Sequence, residues 1–288
     1  MSRFTRKQIL SRFRDQVAQR IPLLVVGAGN GLVARCAEDA GADLLVVYNS
    51  GFFRLNGHPS LLGNLPVGDA NAIMLELGRR SVIPATRAIP VIGGIYGVDP
   101  TRDFDQLFDD MERAGFSGAI NFPTVGRVDG QYRQDLEAAG LGFQREVEKL
   151  GRARGRGLFT LAYAYSPEDA ASMADAGVDV VVGHCGLTAG GDVGSRRAMG
   201  LQHAAGVLDA IFAAARRSRD DVILLSHGGP IVSAEDADWV NTRTGAVGFV
   251  AASSIERIPI EGTLKAACRS FKAIRGGHAA DDGTAQAG

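Results

Sequence analysis

Two histidines stand at the carboxyl ends of apolar segments, where they could exchange protons with a substrate. His184 follows the run Val178–Gly183, and His227 follows the run Val222–Ser226. Imidazole titrates near neutral pH and can act as an acid, a base or an electrophile. Because the two positions are equivalent, we interpret them as a functional pair. Cys185 is adjacent to His184, but neighbours on a strand point to opposite faces, so we do not expect a Cys–His dyad.

Amide and phenol groups stand at the ends of three other apolar segments. Asn49 follows the second segment, Asn121 ends the fourth and Tyr163 ends the fifth. An amide N–H can stabilise a developing oxyanion, and this chemistry would complement proton transfer by the histidines. The catalytic set predicted from the sequence is therefore His184, His227, Asn49, Asn121 and Tyr163.

Other residues are of the types that bind anions. Arg54 could hold a carboxylate or phosphate with two hydrogen bonds, or it could be an exposed loop charge. Gly228, Gly229, Ser253 and Ser254 follow the last two apolar segments. At such positions of a barrel, backbone N–H groups and a helix N-terminus commonly bind phosphate. The alternative for the two serines is that one of them only caps the last helix.

The glycine-rich turn Gly27–Gly31 is similar to a dinucleotide-binding fingerprint but departs from it. The third glycine of that pattern would fall at Leu32, and Tyr48–Ser50 stands where an acidic residue is expected. We therefore expect no nucleotide cofactor. The segment could be only a tight turn, or its backbone N–H groups, that of Gly29 among them, could face an anion.

One acidic residue, Asp99, follows the third apolar segment. We favour the interpretation that it caps the next helix, and the alternative is a general base or a metal ligand. Two stretches, from Tyr48 to Asp69 and from Asn121 to Gly140, show no clear helical pattern. We interpret the first as a lid or binding loop and the second as another long loop.

Eight short apolar segments alternate with helix-like stretches and must position these groups. Three segments follow glycines that would end a helix as its C-cap, namely Gly41, Gly115 and Gly177. The segments are rich in Val, Ile and Leu, as expected for parallel strands buried on both faces. Eight repeats favour a closed (β/α)8 TIM barrel over an open doubly wound sheet. The predicted strands are Leu23–Val26, Leu44–Tyr48, Pro90–Ile95, Gly118–Asn121, Leu158–Tyr163, Val178–Gly183, Val222–Ser226 and Ala246–Val250.

Two segments lie outside this repeat. Residues 5–20 form an amphipathic pattern that predicts a helix, and we expect it to cap the amino-terminal end of the barrel rather than lie on a membrane. Residues 276–288 lack apolar content and are predicted to be a disordered tail. The predicted organisation is one barrel domain over residues 1–275.

The bulk composition excludes several classes of protein. The 288 residues carry a net charge of −1, so no basic field attracts nucleic acid. No stretch of about 18 apolar residues or apolar signal core occurs, and we therefore expect a cytoplasmic protein without membrane contact. The three cysteines form no CxxC pair, which indicates neither a disulfide scaffold nor a zinc site.

Several longer motifs carry a family resemblance that covers residues 5 to about 272. They are VGAGNGLVARCAEDAGADLLVVYNSG, GDANAIMLEL, INFPTVGRVDG, GLTAGG, HGGPI and GFVAASSIER. The chain resembles the phosphoenolpyruvate hydrolase-like barrels, which are grouped with phosphoenolpyruvate mutase, phosphonopyruvate hydrolase and isocitrate lyase. That larger group handles 2-oxo acids and their enolates and uses a Ser-Gly turn after the second strand, which Ser50 and Gly51 would match.

The resemblance implies Mg²⁺ and a homo-oligomer. Superfamily members hold Mg²⁺ with carboxylates near strands two to four, but here Asn49 and Asn121 stand at two of these strand ends and only Asp99 offers a carboxylate. A hard cation usually binds more anionic oxygen than this. Members often exchange their last helix between subunits, so the resemblance also implies a homo-oligomer.

Three functional hypotheses remain open at this point. The first is hydrolysis of a small anionic substrate similar to phosphoenolpyruvate or phosphonopyruvate. The second is cleavage of a C–C bond, of the aldolase or retro-Claisen type, without a Schiff base because Lys149 and Lys265 lie outside the strands. The third is a barrel that senses a ligand without turnover. The fold alone does not distinguish them.

Overall fold

A computed structural model describes residues 3–274 of the chain. Eight parallel strands form a closed barrel in sequence order, with the eighth strand paired to the first. The predicted barrel is confirmed, and every strand boundary lies within two residues of the predicted one. The strands are β1 (Leu23–Gly27), β2 (Leu44–Val47), β3 (Val91–Ile95), β4 (Gly118–Asn121), β5 (Phe159–Ala164), β6 (Val180–His184), β7 (Ile223–His227) and β8 (Gly248–Ala251).

Helices surround the barrel on its outer side. The short connections predicted at alanine–glycine pairs are confirmed, because Gly115 ends a helix with a φ of 101° and lies three residues before β4. The helices are α1 (Arg6–Ala18), α2 (Gly31–Asp39), α3 (Asn49–Leu55), α4 (Ala70–Leu77), α5 (Ile83–Ala85), α6 (Phe104–Ala114), α7 (Gly130–Ala138), α8 (Phe143–Gly155), α9 (Pro167–Asp175), α10 (Leu201–Ser218), α11 (Ala234–Asn241), α12 (Ser253–Glu256) and α13 (Ile258–Lys272).

Alternate strand residues divide the apolar side chains into two layers. Val25, Val46 and Ile120 belong to the cluster inside the barrel, whereas their neighbours Leu45 and Ala119 pack in the outer cluster with the helices. Successive side chains of a strand point to opposite faces, which places one set in each layer. Both layers consist of buried apolar side chains, so the strands form a closely packed frame for the groups at their carboxyl ends.

Helix α1 closes the amino-terminal end of the barrel. Ile9, Leu10 and Phe13 are buried, and the Phe13 ring meets Phe159 edge to face with a centroid distance of 5.4 Å. Thr5 caps the helix in a reciprocal arrangement with Gln8. The predicted capping helix is therefore confirmed. It seals the end of the barrel opposite the candidate catalytic residues.

Two segments predicted as loops are partly helical. The chain between Tyr48 and Asp69 contains α3 and the 3₁₀ turn Ser60–Asn64, and the stretch after β4 contains the 3₁₀ turn Val125–Arg127 and α7. Helices this short have little stability of their own and form because tertiary contacts hold them. In α3 these contacts bury Arg54, which an amphipathic pattern would have placed on the surface.

The favoured interpretation of Asp99 as a helix cap is wrong, and the alternative that a serine after β8 caps the last helix is not observed either. Asp103 caps α6, because its carboxylate accepts hydrogen bonds from the backbone N–H groups of Asp105 and Gln106. Ser253 lies inside α12, whose cap position, Ala252, has no side-chain acceptor.

The predicted tail at 276–288 lies outside the described residues. None of the helices described between residues 3 and 274 combines the length and apolarity needed to cross a membrane.

Candidate functional site

His184 and His227 face each other at the carboxyl ends of β6 and β7. They are register partners across the two strands, and their ring centroids lie 4.4 Å apart with the planes at 81°. Both residues are buried. Both imidazoles line the pocket at the carboxyl end of the barrel, where the catalytic groups of this fold lie. The sequence-based pairing of the two histidines is thus realised in space.

Backbone hydrogen bonds give the two imidazoles different protonation patterns. The Gly186 N–H donates to His184 Nδ1 at 3.0 Å, so the proton of a neutral His184 is on Nε2. His227 Nδ1 lies 2.5 Å from the Val250 carbonyl oxygen. A carbonyl oxygen only accepts, so His227 Nδ1 carries the proton and its Nε2 is an acceptor. His184 therefore offers a donor at Nε2, and His227 offers a base at Nε2.

Burial keeps both imidazoles neutral. The pKa of His227 is lowered to about 4, mainly by desolvation and also by the nearby cations Arg54 and Arg127, against the raising effect of the Val250 carbonyl. Desolvation also lowers the pKa of His184 well below its ordinary value, with His227 and Arg127 adding to the effect. At neutral pH one ring can donate a proton in a hydrogen bond while the other accepts one.

Three tyrosines surround the histidines. The Tyr163 ring lies 5.0 Å from His184 and 5.1 Å from His227, and Tyr165 stacks on His184 at 4.3 Å. Tyr48 and Tyr163 both line the pocket. Burial raises the pKa of Tyr48 and of Tyr163, so both phenols stay protonated and are donors. The predicted residue Tyr163 lies in the site, whereas Tyr48 and Tyr165 were missed.

Arg54 is neutralised by a buried glutamate. Its Nε donates to Glu256 Oε2 at 2.9 Å, and its second terminal nitrogen contacts the same oxygen. Its remaining donors reach Ser50 Oγ at 3.3 Å and Ser60 Oγ at 3.1 Å. The other carboxylate oxygen of Glu256 accepts the Gly29 N–H. Two of the predicted anion binders, Arg54 and Gly29, thus bind an anion of the protein itself.

Asn121 also has its hydrogen bonds filled by protein groups. Its Oδ1 accepts from the Tyr163 N–H at 2.7 Å, and its Nδ2 donates to Glu146 at 2.8 Å and to the Tyr163 carbonyl at 3.1 Å. Glu146 further accepts from Thr124 Oγ1 and from the Val125 N–H, both at 2.7 Å. Burial raises the pKa of Glu146 to about 7 against these three donors. The network fixes the β4 connection rather than pointing into the pocket.

Asn49 lies beside the pocket without lining it. Its Nδ2 donates to the Gly63 carbonyl at 3.0 Å, and its buried Oδ1 has no hydrogen-bond partner among the described residues. A side chain at Gly63 would meet Ser50 Cβ at 2.8 Å, so the 3₁₀ turn packs directly onto α3. Gly51 packs directly against Gly29, whose Cα a side chain at position 51 would meet at 3.0 Å. Of this group only Ser50 lines the pocket.

The predicted phosphate loop after β7 is closely packed against the β6 loop. The Gly229 N–H donates to the Gly186 carbonyl at 2.9 Å, and a side chain at Gly228 would meet the same oxygen at 2.3 Å. Glycine with a positive φ of 77° is therefore required at position 228. Ser253 lines the pocket, whereas Ser254 lines a groove on the outside of the barrel.

Arg127 is the functional candidate that the sequence analysis missed. It lies in the 3₁₀ turn after β4, lines the pocket and lowers the pKa of both histidines. Within residues 3–274 its guanidinium forms no salt bridge, and the group beside it is the neutral phenol of Tyr165. It is a cation at the mouth whose charge is not already matched. The only sequence signal was its position in the β4 connection, where arginine also occurs as an ordinary surface residue.

The pocket itself is small and mostly walled by the groups described above. It has a volume of about 30 Å³, room for one water-sized group. The predicted site residues that line it are Ser50, Arg54, Tyr163, His184, His227 and Ser253. The catalytic and binding roles of all predicted residues stay predictions.

The carboxylates of the described chain do not fit a magnesium site. No group of three or more His, Cys, Asp or Glu side chains within the described residues could hold a metal. Glu256 is paired with Arg54, and Asp99 accepts from the Thr101 N–H at 2.9 Å and from Thr101 Oγ1 at 2.7 Å. Mg²⁺ prefers several oxygen ligands, with one or two carboxylates among them. Asp99, the ligand predicted from the sequence, is therefore not joined by a second carboxylate that could complete a Mg²⁺ site among the described residues.

Comparison with known proteins assigns the chain to a family. A family model described as "Phosphoenolpyruvate hydrolase-like" matches residues 8–274, which confirms the resemblance found in the sequence. The tomato (Solanum lycopersicum) ToMV susceptible protein tm-1(GCR26) is 43% identical over 267 residues. This match covers 92% of the chain but 35% of the tomato protein, so the chain spans about a third of that relative.

Solved structures share the fold at low sequence identity. A phosphonopyruvate hydrolase in complex with oxalate and Mg²⁺ superimposes with a TM-score of 0.59 at 19% identity, covering 93% of this chain and 88% of that one. A 2,3-dimethylmalate lyase superimposes with a TM-score of 0.58 at 18% identity, covering 93% and 88% respectively. At this identity the likeness establishes the barrel architecture alone.

Proposed function

Because the chain belongs to the phosphoenolpyruvate hydrolase-like family, we propose that it is an enzyme that cleaves a small 2-oxo acid through an enolate. The observation that carries the proposal is the pair of neutral imidazoles with opposite tautomers, His184 donating and His227 accepting, in one small pocket. Enolate chemistry needs one group to remove a proton and another to stabilise the oxyanion. The reaction that fits best is retro-aldol cleavage of a 4-hydroxy-2-oxo acid.

The proposed reaction balances without a co-reactant. His227 Nε2 accepts the proton of the substrate 4-hydroxyl group, the C3–C4 bond breaks, and an aldehyde leaves. The electron pair of that bond moves to the C2 oxygen, which becomes the enolate and accepts a hydrogen bond from His184 Nε2–H. Protonated His227 then delivers its proton to C3 and releases pyruvate. The protonated phenols of Tyr48 and Tyr163 add donors at the same pocket.

The balance of charge favours C–C cleavage over hydrolysis of a phosphorylated substrate. Arg54 is matched by Glu256, which leaves Arg127 as the cation available to a substrate in the described mouth. One guanidinium can pair with one carboxylate. A substrate with both a carboxylate and a phosphoryl group would bring up to three negative charges into a buried site, where unmatched charge is strongly unfavourable. We therefore assign the substrate carboxylate to Arg127.

The proposed chemistry includes no step at a metal ion. The carboxylates near the mouth are occupied by Arg54, by Thr101 or by the donors around Glu146, and they do not form a magnesium site. Proton transfer by His227 and hydrogen bonding by His184 supply the same functions from side chains. The proposal therefore expects turnover to be unchanged by a chelator.

A coupled assay tests the proposal against its rival. The protein is incubated with 4-hydroxy-2-oxopentanoate, and released pyruvate is measured with lactate dehydrogenase, with EDTA and with added Mg²⁺. Phosphoenolpyruvate and phosphonopyruvate are tested in parallel by phosphate release. Pyruvate formation that is indifferent to EDTA supports C–C cleavage. Phosphate release that requires Mg²⁺ would replace this proposal by hydrolysis, and tight binding without any product would favour a sensor.

We further propose that the chain forms a homo-oligomer through its last helix. Helix α13 buries none of its own residues, and Leu264 and Phe271 are 60% and 75% exposed. A groove of about 950 Å³ lies on the outside of the barrel beside β8 and β1, with apolar walls that include Ile21, Ala237 and Phe249. In a barrel the helix after β8 ordinarily covers this position. A second copy of α13 would bury both apolar surfaces.

A further inference from the structure

A second chamber adjoins the small pocket on its outer side. It has a volume of about 330 Å³ and shares Ser60, Leu187, Thr188 and Ser253 with the inner pocket. The inner pocket holds about 30 Å³, which is too little for a whole substrate. Ligand sites commonly have volumes of about 300–1,000 Å³. The chamber is therefore the space into which a substrate would extend from the reacting carbon.

The outer wall of the chamber is fixed to α13. The Arg257 guanidinium donates to the Gly190 carbonyl at 3.0 Å and pairs with Glu261 at 3.0 Å. Glu261 accepts the Asp192 N–H at 2.8 Å, and Lys265 pairs with the Asp192 carboxylate at 2.5 Å. These contacts tie the connection between β6 and α10 to Arg257, which immediately precedes α13, and to Glu261 and Lys265 within α13. This wall of the chamber is therefore held in place by hydrogen bonds and ion pairs rather than being an unattached loop.

The chemistry of the chamber suits an uncharged group. Leu61, Leu187 and Val193 supply aliphatic surface, and Ser60 and Thr188 supply hydroxyl groups. No lysine or arginine lines the chamber, and its one charged residue, Asp192, is an anion already paired with Lys265. A second carboxylate or a phosphate placed here would meet a negative residue and no free cation.

We propose that this chamber binds the uncharged aliphatic part of the substrate, attached to C4, while the 2-oxo acid end occupies the inner pocket. The inference rests on the proposed function, and it names the substrate class as 4-hydroxy-2-oxo acids with a neutral aliphatic tail. The shared wall places the cleaved bond at the junction of the two spaces. Arg127 selects the carboxylate end, and the chamber selects the tail.

Calorimetric titration with a series of non-cleavable 2-oxo acids tests the inference. The ligands lack the 4-hydroxyl group and cannot be cleaved: pyruvate, 2-oxobutanoate, 2-oxopentanoate and 2-oxohexanoate, with 2-oxoglutarate as the partner of 2-oxopentanoate that carries a terminal carboxylate. We expect the Kd to fall about fourfold for each added methylene, from the free energy of burying one CH₂ group. We expect 2-oxoglutarate to bind at least tenfold more weakly than 2-oxopentanoate.

Two variants that fill the chamber from two different segments of its lining provide the matched test. Val193→Trp and Leu61→Trp should each abolish the gain with chain length and leave the Kd of pyruvate unchanged. Leu32→Trp, at an exposed position on α2, is the control and should retain the gain. Two different walls are used so that a local disturbance of one loop does not decide the result.

The outcomes separate this inference from the proposed function. Binding of pyruvate with no dependence on chain length, or stronger binding of 2-oxoglutarate, would overturn the chamber assignment and leave the proposed function in place. A chain-length gain that survives both tryptophan variants would overturn it as well. If none of the 2-oxo acids binds, the proposed function and the chamber assignment both fail.

Discussion

His184 and His227 are direct register partners on neighbouring strands, yet their backbone contacts give them opposite tautomers. The Gly186 N–H occupies Nδ1 of His184, and the Val250 carbonyl occupies Nδ1 of His227. In each ring Nε2 is left for a ligand, as a donor in the first and an acceptor in the second. The division of roles between acid and base therefore follows from the backbone around the barrel mouth.

The lowered pKa of His227 predicts an unusual pH profile. The base stays neutral until the pH approaches about 4, so kcat/KM should remain level from pH 8 to pH 5. An imidazole with an ordinary pKa would lose activity below about 6.5. Initial rates across this range, with the folded fraction checked by circular dichroism, measure the profile. An acid limb centred near 6.5 would contradict the burial argument.

His227 and Glu146 should make the free energy of unfolding depend on pH in opposite directions. The folded pKa of His227, about 4, lies below its ordinary value of 6.5, so the unfolded chain binds more protons between these values and the free energy of unfolding falls as the pH drops. Glu146 has a folded pKa of about 7 against 4.5, so its contribution falls as the pH rises through that window. Urea unfolding measures the difference in the free energy of unfolding between His227→Gln and the wild type. This difference should favour the variant more at pH 5 than at pH 8. An equal difference at both values would contradict the assignment.

Arg127 should govern binding of the substrate carboxylate. Arg127→Gln removes a charge-assisted contact of ~1.5–3 kcal/mol, and KM should rise roughly 10- to 150-fold with a smaller change in kcat. Because Arg127 lowers the pKa of both histidines, its loss should also move the acid limb to higher pH. Arg35→Gln, at an exposed position on α2, is the control and should change neither quantity. An unchanged KM in the Arg127 variant would show that another residue binds the substrate carboxylate.

The buried pair of Arg54 and Glu256 should be essential to stability. Glu256→Gln leaves Arg54 as an uncompensated buried cation, and the free energy of unfolding should fall by ~3–5 kcal/mol. Replacing both residues by leucine removes both charges and should recover part of this loss. Urea denaturation of the three proteins measures the effect. If Glu256→Gln were as stable as the wild type, water or another protein group would have to compensate the charge of Arg54.

Helix α13 should hold copies of the chain together. Replacing Leu264 and Phe271 by aspartate puts charge on the exposed apolar face and should convert an oligomer into a monomer. Light scattering after size-exclusion chromatography measures the mass. The control is Leu32→Asp, which is 60% exposed on α2 and should leave the mass unchanged. A monomeric wild type, or a variant of unchanged mass, would exclude this interface.

Much of the fold was predictable because its signals are local. Eight apolar segments and glycine caps such as Gly115 gave strand positions within two residues, and amphipathic residues such as Phe13 predicted the capping helix. The short helices after β2 and β4 were not predictable, because tertiary contacts hold them. The burial of Arg54 in α3 depends on Glu256, a residue about two hundred positions away in the chain.

The candidate site was predictable in its histidines but not in its electrostatics. His184 and His227 end their strands, so the fold rule was sufficient to bring them together. Whether the charge of an arginine is matched depends on long-range partners, and for this reason the sequence indicates Arg54 as a candidate anion binder but not Arg127. Asn121 has the type of an oxyanion donor, but its contacts with Glu146 and Tyr163 appear only in three dimensions.

Hydrogen exchange at the methyl group of pyruvate tests the central claim most directly. If His227 removes a C3 proton and His184 stabilises the enolate, the protein in D₂O should replace the methyl protons of pyruvate by deuterium, and the proton NMR signal should decline. His227→Gln and His184→Gln should slow the exchange by roughly 10²- to 10⁴-fold, and His203→Gln, exposed on α10, should not. Wild-type exchange no faster than that of the His227 variant would contradict enolate formation at this pair.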